Sequence, residues 1–174
     1  MSDLRIRPAR VDELDQVEGL WLEASHWLAA RGIDQWQYPP RRWRMEGAVR
    51  AGDCHLAFRE GLLVGTVTVE RQADLEWWAD DDPDAALYVH DLVVSRVAAG
   101  QSVGARLLDW AGLLAAQREK PWLRLEAWKT NGLLHRYYLD RGFELLRIVD
   151  LPHRHSGALF QRSTGLAVAP EGDG

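Results

Sequence analysis

The stretch Leu87–Gly104, LYVHDLVVSRVAAGQSVG, passes from strand-forming residues through a short linker into a glycine-bracketed turn, and the turn opens onto VGARLLDWAGLLAAQ. LYVHDLVV is rich in β-branched and aromatic residues. In the run that follows, Val103, Leu107, Trp110, Ala111 and Leu114 fall on one side of a helix. The spacing predicts a strand over Leu87 to Val94 and a helix over about Val103 to Arg118. A strand that feeds a glycine-containing turn at a helix start presents unpaired backbone N–H groups, so this unit is a candidate cradle for a phosphate-bearing ligand.

Upstream, Leu4 to Arg7 can form a short strand. Asp12 can cap a helix whose Leu14, Val17, Trp21, Ala24 and Leu28 recur at helical spacing, with Gly32 as its stop. RGIDQWQYPPRRW reads as a loop, with a second, shorter helix from about Arg41 to Arg50. His55 to Phe58 and Leu62 to Glu70 read as antiparallel strands around Glu60-Gly61, and RQADLEWWADDDPDAA as a polar connection. Downstream, a strand is expected over Trp122 to Trp128 and a helix from about Thr130 to a stop at Gly142. Glu144 to Asp150 and Ala158 to Arg162 read as closing strands. These pieces make one domain over residues 1–165, and 166–174 has the composition of a frayed tail.

Composition excludes several classes. With 174 residues, 47% of them hydrophobic, one core is the expectation. The 21 basic against 26 acidic residues give a formal charge of −5, and no Lys/Arg stripe marks a nucleic-acid footprint. Cys54 stands alone, which leaves no disulfide framework and no thiolate metal cluster and suits a reducing compartment. The amino terminus is too charged for a signal peptide, and no apolar run approaches the roughly 18 residues of a membrane span. A cytoplasmic location is expected, with no membrane, metal or nucleic acid as partner.

In this order the pieces resemble the GNAT superfamily of acetyl-CoA-dependent N-acetyltransferases, over roughly residues 4 to 162. The family's Asn-x-x-Ala-x-x-x-Tyr-x-x-x-Gly-Phe pattern is matched by Asn131, Tyr138, Gly142 and Phe143, with Leu134 as the departure. Its Arg/Gln-x-x-Gly-x-Gly/Ala loop aligns with Ala99 to Gly104, where Ala99 and Ser102 depart from it. The resemblance implies a single α/β (α+β) domain, a mixed and mostly antiparallel twisted sheet flanked by about four helices, with a splayed central strand pair. It implies acetyl-CoA as co-substrate and transfer of its acetyl group to a primary amine of a small molecule by direct attack. Oligomeric state stays open, dimers being common in the family.

Residue roles follow from the aligned positions. The amides of Gln101, Ser102, Val103, Gly104 and Ala105 would meet the coenzyme A diphosphate. The backbone of Leu92, Val93 and Val94 would pair with the pantetheine arm, and Asn131 would contact the cofactor. Arg96, Arg106 and Lys129 are further candidates for its phosphates. Tyr138 would protonate the departing thiolate. His90-Asp91 stands where polyamine-acetylating members carry Glu-Asp, and a histidine, as a residue type, titrates near about 6.5 and can take the proton of an ammonium. His90 is the first candidate base, with Asp91 and Glu126 behind it. Of the nine tryptophans, Trp21, Trp110 and Trp122 fit core positions. Trp27, Trp36, Trp77 and Trp78 fall at a helix end or in loops and, beside Asp80 to Asp82, would form an aromatic wall for a cationic or aromatic acceptor.

Two other readings compete. Gly100-Gln101-Ser102-Val103-Gly104 also spells the Gly-x-Ser-x-Gly elbow of serine hydrolases, with Ser102 as nucleophile. The degenerate loop also fits a non-catalytic protein that binds acyl-CoA or a small amine.

Overall fold

The computed structural model describes residues 3–166, so the expected tail lies outside the described residues apart from Leu166. The strands are β1 (Leu4–Pro8), β2 (Cys54–Arg59), β3 (Leu62–Glu70), β4 (Ala86–Val94), β5 (Trp122–Trp128), β6 (Glu144–Ile148) and β7 (Ser156–Ser163). The helices are α1 (Leu14–Ala30), α2 (Arg42–Ala51), α3 (Leu75–Trp78), α4 (Val103–Gln117) and α5 (Gly132–Leu139). One seven-stranded sheet runs β1-β2-β3-β4-β5-β7-β6. Every pair is antiparallel except β4 with β5. No helix among the described residues is long and apolar enough to cross a membrane.

Side-chain alternation sorts the sheet into two faces. Val67 and Val69, Leu87 and Val89, and Leu123 and Leu125 are buried in one cluster with Leu107, Leu108 and Ala111 of α4. Their neighbours in the chain point the other way. Cys54, Leu56 and Val93 pack with Trp21 of α1 and Met45 and Val49 of α2, while Ala86, Tyr88 and Leu159 pack with Trp77 and Trp78. By the same alternation Thr68, Glu70, His90, Glu126 and Trp128 belong to the α1/α2/α3 face.

Three local differences from the sequence reading have physical causes. Asp12 does not cap α1. A short 3-10 turn, Val11–Glu13, precedes the helix, and Glu13 accepts the Arg10 N–H at 2.9 Å and the Arg7 guanidinium at 2.6 Å. That pairing with Arg7 holds the Glu13 carboxyl down at about 2. The connection from Arg71 to Ala85 is not merely polar. Asp74 accepts the Glu76 N–H at 3.1 Å and starts the single turn α3, which buries Trp77 and Trp78. Finally, β4 carries a bulge. Thr68 pairs with His90 and Thr66 with Val93, so Asp91 and Leu92 together oppose Val67, and Asp91 takes a φ of +47°.

Candidate active site

β4 and β5 pair only from Ala86 with Trp122 to Val89 with Leu125. Beyond that point β4 keeps its bonds to β3 as far as Val94, and β5 keeps its bonds to β7 as far as Trp128. The facing edges of the two strands therefore part, and the backbone of Leu92 to Val94 has no strand partner on the β5 side. The bulge at Asp91 sits at the parting and turns β4 away from its neighbour.

A cavity of about 500 Å³ opens there, with His90, Asp91, Leu92, Glu126 and Tyr138 in its walls. His90 Nε2 lies 3.4 Å from Glu70 Oε2, a diagonal pair across β3 and β4. Asp91 lines the cavity wall and is exposed there. The surrounding protein raises its pKa, and His90, Arg44 and Arg41 pull it back down. Burial likewise raises the Glu126 carboxyl, with His90 and the Trp78 indole acting against the rise. Among the described residues, Glu126 Oε2 is buried without a hydrogen-bond partner. Two carboxylates in such surroundings favour a cation brought between them.

Tyr138 is buried from the α4/α5 side, its ring 5.6 Å from both Phe143 and Phe160, and it reaches the cavity wall. Burial pushes its pKa far up, so the hydroxyl keeps its proton at neutral pH and remains a donor. Among the described residues it has no hydrogen-bond partner. Gly142 ends α5 with a φ of +81°.

The turn before α4 adjoins the end of β4, since a Cβ on Gly104 would lie 3.5 Å from Val94 Cγ2. Ser102 takes a φ of +60° as the first cap of the helix, and the Arg106 N–H is donated back to its carbonyl at 3.1 Å. The amides of Ser102, Val103, Gly104 and Ala105 come before the first helical bond and are left for an anion. The Gln101 amide is not, because it donates to Ala98 O at 3.2 Å.

No protein-family model matches the chain. It is 29% identical over 154 residues to the uncharacterized N-acetyltransferase YesJ of Bacillus subtilis (strain 168), covering 80% of this chain and 81% of that protein. A GNAT-family acetyltransferase from Listeria monocytogenes 4b F2365 superposes with a TM-score of 0.76 at 23% identity, covering 92% of this chain and 94% of the other. The PaiA N-acetyltransferase of Thermoplasma acidophilum, solved with coenzyme A, gives 0.72 at 15% identity over 92% and 99%. The chain has the fold of the GNAT acetyltransferases.

Within this GNAT fold, several residues picked from sequence lie elsewhere. Trp36 and Trp77 line the cavity. Trp78 does not: it is fully buried on Tyr88, with Arg124 over its ring. Trp27 is held between the guanidiniums of Arg31 and Arg96 at 3.9 and 4.2 Å, away from the cavity wall. Asp81 is tied to Arg147, and the Asp80 to Asp82 run is not part of the wall. Asn131 is committed to structure. Its Oδ1 accepts the Leu134 N–H at 3.1 Å and its Nδ2 donates to Gln35 Oε1 at 2.8 Å. Lys129 is likewise bound to Asp150 at 2.6 Å and to the carbonyls of Leu151 and Arg154. Ser102 makes no side-chain hydrogen bond among the described residues, so the elbow spelling has no base beside it.

Trp128 and His155 of the wall were not singled out from sequence, and Trp21 was expected in the core. Trp128 stacks on His155 at 4.8 Å and Trp21 on Trp36 at 5.5 Å, and all four rings border the cavity. The loop between α1 and α2 is pinned over them. Asp34 accepts from Trp128 Nε1 at 3.1 Å and from Thr130 Oγ1 at 3.0 Å, and Ser25 Oγ donates to Trp36 O at 2.8 Å.

Proposed function

We propose that this GNAT acyltransferase moves the acetyl group of acetyl-CoA to the primary amine of a small molecule. The observation that carries the reading is the parting of β4 from β5, which opens a cavity holding a histidine, two unpaired carboxylates and a protonated tyrosine. The residues present fit a coenzyme A thioester. The amides of Ser102 to Ala105 would take the diphosphate, and the free edge of Leu92 to Val94 would pair with the pantetheine amides.

Acetyl-CoA supplies a thioester whose acetyl carbon bonds to the amine nitrogen as its C–S bond breaks. Asp91 and Glu126 draw the ammonium form of the acceptor into the parting. His90 accepts its proton, and Glu70, 3.4 Å from Nε2, holds the ring. Tyr138 gives its hydroxyl proton to the departing sulfur. Backbone amides of β4 polarise the acetyl carbonyl. The reading places the protein in the cytoplasm, with its co-substrate.

Incubating the purified protein with acetyl-CoA and a panel of amines tests this. Free thiol should be released only when an accepted amine is present, and mass detection should find that amine carrying one added acetyl group. Thermal stabilisation by coenzyme A with no thiol released from any amine would refute catalysis and leave a binding protein.

A further inference from the structure

The arginines of α2 differ in what they meet. Arg42 reaches Asp15 and Glu18 at 2.6 and 2.8 Å, and Arg50 reaches Glu46 at 2.8 Å. Arg41 and Arg44, three positions apart and so on one side of the helix start, both line the cavity. Among the described residues neither has a carboxylate within ion-pair distance. The Arg41 guanidinium lies over the Tyr38 ring, 5.1 Å from its centre. This placement runs against the helix, because the first turn of α2 holds no acidic residue and a helix N-terminus disfavours cations.

The other charges of the cavity are matched. Arg154 meets Asp74 at 2.7 Å and Glu76 at 2.5 Å, and Glu70 meets His90 at 3.4 Å. What remains is two guanidiniums at the start of α2, Arg41 just before it and Arg44 in its first turn, and, at the strand parting, the carboxylates of Asp91 and Glu126. Both sets line the one cavity. A purely cationic amine would bring its second charge against two arginines at a helix start whose first turn holds no acidic residue to receive it.

We propose that the acceptor is an amino acid, its ammonium between Asp91 and Glu126 and its carboxylate held by Arg41 and Arg44. The inference rests on the acetyltransferase reading and narrows its acceptor. Guanidinium groups suit a carboxylate because their N–H fork matches its two oxygens. The rings of Trp36 and Trp77, also in the wall, suit an apolar or aromatic side chain.

The test pairs each amino acid with the amine that lacks only its carboxylate: tryptophan with tryptamine, phenylalanine with phenethylamine, arginine with agmatine, lysine with cadaverine. Acetyl-CoA-dependent thiol release gives kcat/KM for both members. In the pairs that are turned over, the acid should exceed the amine by about tenfold or more. In the R41Q/R44Q variant that ratio should fall towards one. Both side chains are exposed, so the variant should fold, and the wild-type ratio is a test without it. Equal or better use of the decarboxylated amines would overturn the inference. So would turnover of neither series by protein that binds coenzyme A in calorimetry. Protein that binds no coenzyme A would instead overturn the reading beneath it.

Discussion

Tyr138→Phe separates a chemical role from a structural one. The substitution removes a single hydroxyl. Among the described residues that hydroxyl has no hydrogen-bond partner, so its loss orphans no donor or acceptor. The ring keeps its contacts with Phe143 and Phe160, each centred 5.6 Å away. Stability should therefore change by no more than about 0.5 kcal/mol, which for a chain of this size moves Tm by about 2 °C or less. Turnover should fall at least about tenfold, a loss of about 1.4 kcal/mol of transition-state stabilisation. Because the proton is needed only as sulfur leaves, kcat and kcat/KM should fall together while KM for acetyl-CoA stays within about twofold. The assay is initial-rate thiol release at saturating acceptor, beside a thermal melt of the same preparation. Unchanged kcat would remove Tyr138 from the chemistry. An equal loss of kcat accompanied by a Tm lower by many degrees would make it a core residue only.

His90→Ala should cost most at neutral pH and recover activity as pH rises, because the free amine then arrives without a base; a parallel loss at every pH would mark a structural histidine. Glu70→Gln should lower kcat while leaving coenzyme A affinity unchanged, read by steady-state kinetics beside calorimetry. Gly104→Ala would drive a Cβ into the Tyr137 hydroxyl, whose ring is held by Arg141 at 3.4 Å; the expected destabilisation is about 1–3 kcal/mol, and adding Tyr137→Phe should restore most of it in denaturant melts. Glu13 titrates near 2 in the folded chain against an ordinary 4.5, so its pairing with Arg7 adds stability that is complete above about 4.5 and is lost as pH falls towards 2. The Tm gap between wild type and Glu13→Gln should hold from pH 7 to about 5.5 and close below about 4.5.

The β4-to-α4 unit and the Asn131 to Phe143 helix were legible because their signals are local: a strand run, a turn and a helix period in sequence, or cap and stop residues at fixed spacing. The parting of β4 from β5 came through the family resemblance that those signals support. Glu70 was not legible. Its place beside His90 depends on the β3/β4 register, and that register is shifted by a bulge at Asp91 which no glycine announces. The tryptophans failed for a related reason. Trp77 and Trp78 are adjacent in the chain, yet one turn of helix sends the first to the cavity wall and the second into the core beneath Tyr88. Asn131 carried the family motif, but the Gln35 contact that occupies its amide crosses from the α1–α2 loop, a tertiary pairing absent from any local pattern. No local pattern sets Arg41 and Arg44 apart, because what distinguishes them is that their neighbours on α2 are paired with carboxylates while they are not.

The most direct measurement is a crystal structure of the protein with acetyl-CoA. The diphosphate should lie on the amides of Ser102 to Ala105, the pantetheine should run along the free edge of Leu92 to Val94, and the sulfur should fall within hydrogen-bond reach of the Tyr138 hydroxyl. A nucleotide bound anywhere else, or strands β4 and β5 closed on each other with the thioester excluded, would contradict the account.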